Sequence, residues 1–222
     1  MPDASLMLAL CEAPGTTRVY PDGFYALQKG RKYGKIAINE EMEEHTMTLE
    51  IAEKQDYQKI KALYLSAFPP EERPPFFFLK RKAGQMLVAK EDERFLGFVN
   101  LICHKDLVYL FFFALEAPVR GQGYGSQILQ LVKAQNEGKR IFLAREPLDD
   151  QADNAAQRHS RHQFYLRNGF TDLPIQIVEQ GYVFDAMGIG GSISAKDYDG
   201  LINGWCGKFL RSFLRMHVIE HQ

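Results

Sequence analysis

Cysteine is scarce. The 222 residues hold three, Cys11, Cys103 and Cys206, and none belongs to a CxxC pair. That spacing offers neither a disulfide framework nor a zinc site, so no metal is expected. A surplus of either charge is missing too, with 27 Lys and Arg against 28 Asp and Glu. A polynucleotide partner needs a basic excess to neutralise its phosphates, and nucleic acid is therefore not expected. No apolar run approaches the ~18 residues of a membrane span. The stretch Leu6 to Cys11 lacks a basic residue before it, and Leu10 stands where a lipoprotein signal needs a small residue. No internal repeat or low-complexity tract is present. These absences point to a cytoplasmic protein without a membrane span. What remains is ordinary for a globular chain, 45% hydrophobic and 25% charged, and long enough for one substantial domain with its own core.

Residues 1–46 mix Pro, Gly, Thr and charge with no sustained period. They read as an N-terminal extension, a mobile arm or a segment ahead of the true start, with a short hairpin open to them around Tyr20 to Gly23. The main domain is expected to run over 47–190, from the strand that opens at Met47. Apolar residues at Ile60, Leu63, Tyr64 and Ala67 predict a helix over Asp56 to Phe68, with Asp56 as N-cap. A second short helix is predicted over Phe76 to Lys82. Three strand-like runs follow, Met86 to Lys90, Phe95 to Cys103 and Leu107 to Leu115, separated by short charged turns as in an antiparallel meander. Cys103 reads as a small buried hydrophobe. A helix over Gly123 to Asn136, a strand over Arg140 to Ala144 and a helix over Asp153 to Arg167 come next. Asn168-Gly169 is the natural stop of that last helix. Two strands near Ile175 to Val178 and Tyr182 to Met187 precede a final amphipathic helix, Ala195 to Met216, within a C-terminal helical segment 191–222. Its basic end either closes the domain edge or forms a contact in a homodimer. The order predicts an α/β (α+β) fold with a mixed, mostly antiparallel sheet flanked by helices, and excludes a doubly wound sheet.

The most informative stretch is Phe111 to Ser126, FFFALEAPVRGQGYGS. A hydrophobic strand ends, a short turn follows, and a glycine-rich loop opens a helix. Such a loop aims backbone N–H groups at one spot, the helix dipole adds partial positive charge, and the glycines keep Cβ atoms out of an anion's way. Arg120 adds a full charge. The expected ligand is a phosphate or pyrophosphate. No Lys-Ser or Lys-Thr pair ends the loop, so it is not a Walker A loop, and the glycines at 121, 123 and 125 do not make GxGxxG.

The loop resembles the acetyl-CoA loop of the GNAT acetyltransferase superfamily, Arg or Gln, two residues, Gly, one residue, Gly or Ala, matched by Arg120, Gly123 and Gly125. A second stretch, Phe164 to Phe170 (FYLRNGF), is similar to the family's Tyr-x-x-x-Gly-Phe. The resemblance covers about Met47 to Gly190 and extends to a group of uncharacterised bacterial members. It implies an N-acetyltransferase that passes the acetyl group of acetyl-CoA to a primary amine of a small molecule or protein, by direct attack in a ternary complex. A CoA-binding sensor without turnover, and an interaction protein that binds no CoA, stay open beside it.

The resemblance also implies roles. Phe113, Ala114 and Leu115 would line the acetyl group, and Arg120, Gly121, Gln122, Gly123, Tyr124, Gly125 and Ser126 the pyrophosphate. Tyr165 would be the general acid that protonates the leaving thiolate, and either Glu146 or Glu116 the base for the amine. Many members carry Asn seven residues before the tyrosine to bond the pantetheine. Here that position is Arg158, and Asn154 lies one turn upstream. The proline-rich segment Phe68 to Pro75 lies where members build the acceptor wall, which makes Glu71, Glu72 and Arg73 candidates for substrate contact. His159 and His162 read as surface residues, not ligands.

Overall fold

A computed structural model of the chain describes residues 34–38, 45–70, 73–81 and 84–220. The hairpin considered near Tyr20, and Glu71 and Glu72, lie outside them. One sheet runs through the molecule. Its strands are β1 Gly34–Ile38, β2 His45–Ile51, β3 Gly84–Glu91, β4 Arg94–His104, β5 Leu107–Leu115, β6 Arg140–Arg145, β7 Thr171–Glu179, β8 Tyr182–Ile189 and β9 His217–Glu220, in the order β1-β2-β3-β4-β5-β6-β8-β7-β9. Every neighbouring pair is antiparallel except β5 and β6. The predicted meander is β3-β4-β5, and the fold is the mixed, mostly antiparallel one expected.

Among the described residues four helices cover the sheet: α1 Tyr57–Ala67, α2 Tyr124–Gln135, α3 Ala155–Arg167 and α4 Ala195–Phe213. They divide its faces. Ile128, Leu129, Leu131 and Val132 of α2, with Phe164 and Tyr165 of α3, fill one core with Leu110, Phe113 and Leu143. On the other face Ile60, Leu63 and Tyr64 of α1, with Tyr198, Leu201 and Trp205 of α4, pack on Phe98, Phe112 and Phe142.

Several expectations are corrected. The sheet begins before Met47: β1 falls inside the segment set apart as 1–46, and its five residues are too few to establish a period. At the other end the last helix stops at Phe213 after a break at Gly207 (φ 79°), and β9 follows, paired with β7. Phe76–Lys80 is a 3-10 turn, not an α-helix. The Asp56 side chain does not cap α1. It accepts from the Glu53 amide at 2.9 Å and pairs with Lys90 at 2.9 Å, because its own backbone is already helical (φ −80°, ψ −27°). Cys103 is half-buried.

Two irregularities shape the centre of the sheet. Asn100 faces Phe112 but Leu101 faces Leu110, so Phe111 is an extra residue in β5. Such a bulge bends its strand and strengthens the local twist. Correspondingly, the parallel ladder of β5 with β6 has three rungs, Leu107 to Arg140, Val108 to Ile141 and Tyr109 to Phe142, and goes no further although both strands continue. The strands splay just where the bulge sits. Gly97 of β4 serves the same region. A Cβ there would stand 2.2 Å from the Ala114 carbonyl oxygen, so only glycine lets β4 approach β5 this closely.

Candidate functional site

The glycine loop stands at the open end of the splay, between β5 and α2. Gly121 (φ 74°) and Gly123 (φ 86°) take the left-handed conformation that glycine adopts without strain, and Gly123 is the N-cap of α2. The carbonyl of Gly123 accepts from Ser126 and Gln127. Among the described residues no acceptor is paired with the amides of Gly121, Gln122, Gly123, Tyr124 and Gly125. Consecutive donors left unpaired at a helix N-terminus are the arrangement from which anion-binding concavities are built. Arg120 folds over the end of β5, its Nε donating to the Leu115 carbonyl at 3.0 Å, and no described carboxylate pairs with it.

The side chains around the loop fasten it. Tyr124 donates to the Glu91 carboxylate at 2.8 Å, Gln122 to the Pro118 carbonyl at 2.6 Å, and Asn168 to Ser126 Oγ at 3.1 Å. Burial, and then the Glu91 carboxylate, push the Tyr124 phenol up to about 12. Gly125 has a packing reason beside any ligand role: a Cβ there would lie 3.2 Å from the Phe164 ring, so the glycine sets how closely α2 meets α3. Phe113, Ala114 and Leu115 are buried in β5.

At the end of α3, Tyr-Leu-Arg-Asn-Gly-Phe is a Schellman motif. Gly169 (φ 84°) donates to the Leu166 carbonyl at 3.0 Å and Phe170 to the Tyr165 carbonyl at 3.1 Å, with the rings of Tyr165 and Phe170 5.6 Å apart. Each residue of the stretch thus has a helix-ending task. The Tyr165 hydroxyl does not. The side chain is fully buried, and its oxygen has no hydrogen-bond partner among the described residues. Burial pushes the phenol well above its ordinary value while the Arg161 charge draws it partly back, so it carries its proton throughout the neutral range.

The two glutamates differ sharply. Glu146, just past β6, is buried at 2% exposure with one oxygen on Arg161 Nη1 and the other accepting from Asn154 at 3.0 Å. Arg158 lies 3.5 Å away and also donates to Asn154 Oδ1 at 2.6 Å and to the Pro147 carbonyl at 3.1 Å. Glu146, Asn154 and Arg158 therefore bind one another. Arg161 keeps Nε and Nη2 without partners among the described residues, one helical turn before Tyr165. Glu116 follows β5 half-buried, and its carboxylate is not engaged by any described residue. On the opposite face, Arg73 closes the end of α1 by donating to the Leu65 carbonyl at 2.8 Å, and the Tyr64 hydroxyl holds Pro74 at 2.8 Å.

The reading of both histidines as surface residues is half corrected. His159 is exposed beside Asp150 at 2.7 Å, but His162 is buried against Asp172 at 2.9 Å. Among the described residues no group of three or more His, Cys, Asp and Glu could hold a metal ion, and no helix is long and apolar enough to cross a membrane.

Sequence reasoning passed over Glu179. It is 3% exposed and accepts at one oxygen from both Tyr109 (2.9 Å) and Tyr198 (3.0 Å). The signal was there: Ile175, Ile177 and Glu179 share one face of β7 by its period of two, which puts a carboxylate in an apolar row.

Comparison with known proteins follows the same lines. The family model of the acetyltransferase (GNAT) domain matches residues 82–172. No curated protein matches the chain. Among solved structures, a Bacteroides thetaiotaomicron protein assigned to the GNAT acetyltransferase family is 22% identical, with a TM-score of 0.56, over 70% of this chain and 94% of that one. Arabidopsis thaliana Naa50, in complex with a bisubstrate analogue, CoA-Ac-MVNAL, gives 17% identity and 0.49 over 64% and 97%. The ribosomal-protein-S18-alanine N-acetyltransferase of Escherichia coli gives 17% and 0.49 over 68% and 97%.

Proposed function

Because the chain carries a GNAT acetyltransferase domain, we propose that it transfers the acetyl group of acetyl-CoA to a primary amine by direct attack in a ternary complex. The observation that carries this reading is the three-rung ladder of β5 and β6, which opens a gap ending at five unpaired loop amides. The residues present fit the cofactor. The amides of Gly121 to Gly125 and the Arg120 guanidinium suit its pyrophosphate, and the gap between β5 and β6 suits an extended pantetheine. Acetyl-CoA itself supplies an activated thioester.

The chain's own groups then have two tasks. Backbone amides near Ala114 and Leu115, on the strand edge freed by the splay, are suited to hold the acetyl carbonyl oxygen as negative charge develops on it. Tyr165, protonated and without another partner among the described residues, is suited to give its proton to the departing sulfur. Glu146 is committed to Arg161, which leaves Glu116 as the free carboxylate of the expected pair, able to take the amine's proton through a water. Asn154 and Arg158, bound to one another, make a firm wall at the end of the cleft and are not free to grip the pantetheine unless that cluster rearranges.

The test is release of free CoA thiol from acetyl-CoA, followed with a chromogenic disulfide across a panel of primary amines. Amine-dependent release is expected. Saturable binding of acetyl-CoA with no release for any amine would favour the sensor, and no binding would end the proposal.

A further inference from the structure

Glu179 has no task in the transfer as proposed, yet it is costly to keep where it is. A buried carboxylate is normally paired with a cation or released to water. Among the charged groups on the elements around it are Asp199 and Arg211 of α4, Arg215 after it, and His217 of β9. Arg211 is taken by Asp199 and by the Met216 carbonyl at 2.9 Å, and none of the four is bound to Glu179. Its only partners among the described residues are two phenols, both on Oε1. Oε2 accepts no hydrogen bond from a described residue.

The phenols that hold the carboxylate belong to an aromatic cluster. Tyr109 stacks on Phe142 at 4.4 Å and meets Phe111 at 5.3 Å. Phe111 in turn meets Phe112 at 4.5 Å and Trp205 at 5.2 Å, and the buried Trp205 indole N–H has no acceptor among the described residues. Phe112 touches Phe68, at the start of the proline-rich acceptor segment, at 4.9 Å. A carboxylate backed by aromatic faces is the chemistry that recognises an organic ammonium ion. Its position agrees with that use. Tyr109 and Phe142 form the last rung before β5 and β6 part, and their side chains lie on the face of α1 and α4, opposite the face of α2 and α3.

We infer that Glu179, with the aromatic wall of Tyr109, Phe111, Phe142 and Tyr198, is the site that selects a cationic primary amine as acceptor and, in place of Glu116, takes its proton. The inference rests on the acetyl transfer proposed above and names its second substrate class. The amine arrives as R–NH3+ and gives one proton to Glu179 Oε2, which later passes it to solvent. The freed nitrogen lone pair forms the C–N bond as the C–S bond breaks. Tyr165 protonates the departing sulfur and recovers a proton from the nitrogen. The products are the N-substituted acetamide, CoA thiol and one proton.

Burial pushes the Glu179 carboxyl up to about 7, the two tyrosine hydrogen bonds drawing it partly down. Two consequences have opposite signs. Ammonium binding needs the ionised form, so it strengthens as pH rises through about 7. Stability runs the other way. A group whose folded pKa lies above its unfolded value contributes stability that is complete below the unfolded pKa and lost as pH rises through the folded one.

The experiment uses Glu179→Gln and two probes of equal shape, phenethylamine and the neutral phenethyl alcohol. Probe binding is measured with and without acetyl-CoA at about pH 5.5 and about pH 8.5, on either side of the Glu179 transition. The amine is expected to bind the wild type at the higher pH and to lose at least about 30-fold in E179Q. The alcohol should not distinguish the two proteins. E179Q should melt above the wild type by more at the higher pH than at the lower, as burial alone dictates, whereas the charge-selective loss of amine binding is what a merely structural glutamate would not give. Equal amine affinity in wild type and variant, or amine binding to the wild type independent of pH, would overturn the assignment. Failure of the underlying transfer reads differently: charge-selective amine binding would persist with no thiol release from acetyl-CoA.

Discussion

Glu146→Ala is expected to destabilise the protein by about 3–5 kcal/mol, measured as a shift in the urea midpoint at constant slope. Arg161 and Glu146 are each about 2% exposed and face one another directly. Removing the carboxylate leaves a guanidinium buried with Nε and Nη2 already unpaired, and no described carboxylate besides Glu146 pairs with it. The cost is that of an uncompensated buried charge, larger than the worth of the pair. The companion variant separates the two. Glu146→Leu with Arg161→Met removes both charges at similar volume and should recover most of the loss, since a buried ion pair and its apolar replacement are often close in energy. A single variant within about 1 kcal/mol of wild type would mean that water already reaches the pair, as it does in exposed ion pairs.

Tyr165→Phe is expected to move activity and stability in opposite directions. If the phenol protonates the leaving sulfur, the maximal rate should fall by about 10²–10⁴ while acetyl-CoA affinity stays as it was. The same hydroxyl is a fully buried polar group with no partner among the described residues, and its removal should raise stability by about 1–3 kcal/mol. Steady-state rates and a denaturation curve on one preparation check both. Unchanged turnover would leave Tyr165 with only its place in the Schellman motif, and the proton would come from water.

Those two results bear on how much a single sequence can give. Local features were legible because their causes are local. The Gly121 to Gly125 loop needs residues at positive φ beside a helix start, and Tyr165 to Phe170 spells a helix end whose hydrogen bonds span five residues. The meander was legible from period and short turns. What escaped depends on partners distant in sequence. Arg161 meets Glu146 across 15 positions, and Tyr109 meets Glu179 across 70. The bulge at Phe111 is invisible in a run of three phenylalanines, any of which can be the extra residue, yet it coincides with the parting of β5 from β6. β1 and β9 were missed because five and four residues cannot establish a period, and their pairing is supplied by the sheet they join. Asp56 stands at the expected N-cap position of α1, but its carboxylate goes to the Glu53 amide and to Lys90 on another strand, partners that the local pattern does not show.

Binding of acetyl-CoA at the glycine loop underlies every step proposed, and a thermal melt of wild type and Gly123→Val with and without the cofactor tests it most directly. At ~100 times its dissociation constant a ligand adds about 2.7 kcal/mol of stability, roughly 5–10 °C for a chain of this size. The wild type is expected to shift by that amount. The variant should not: open space surrounds Gly123, so valine fails there on backbone conformation at φ 86° and displaces the amides that would hold the pyrophosphate. A wild type that melts at the same temperature with and without acetyl-CoA would contradict the account, and the loop would be only the turn that starts α2.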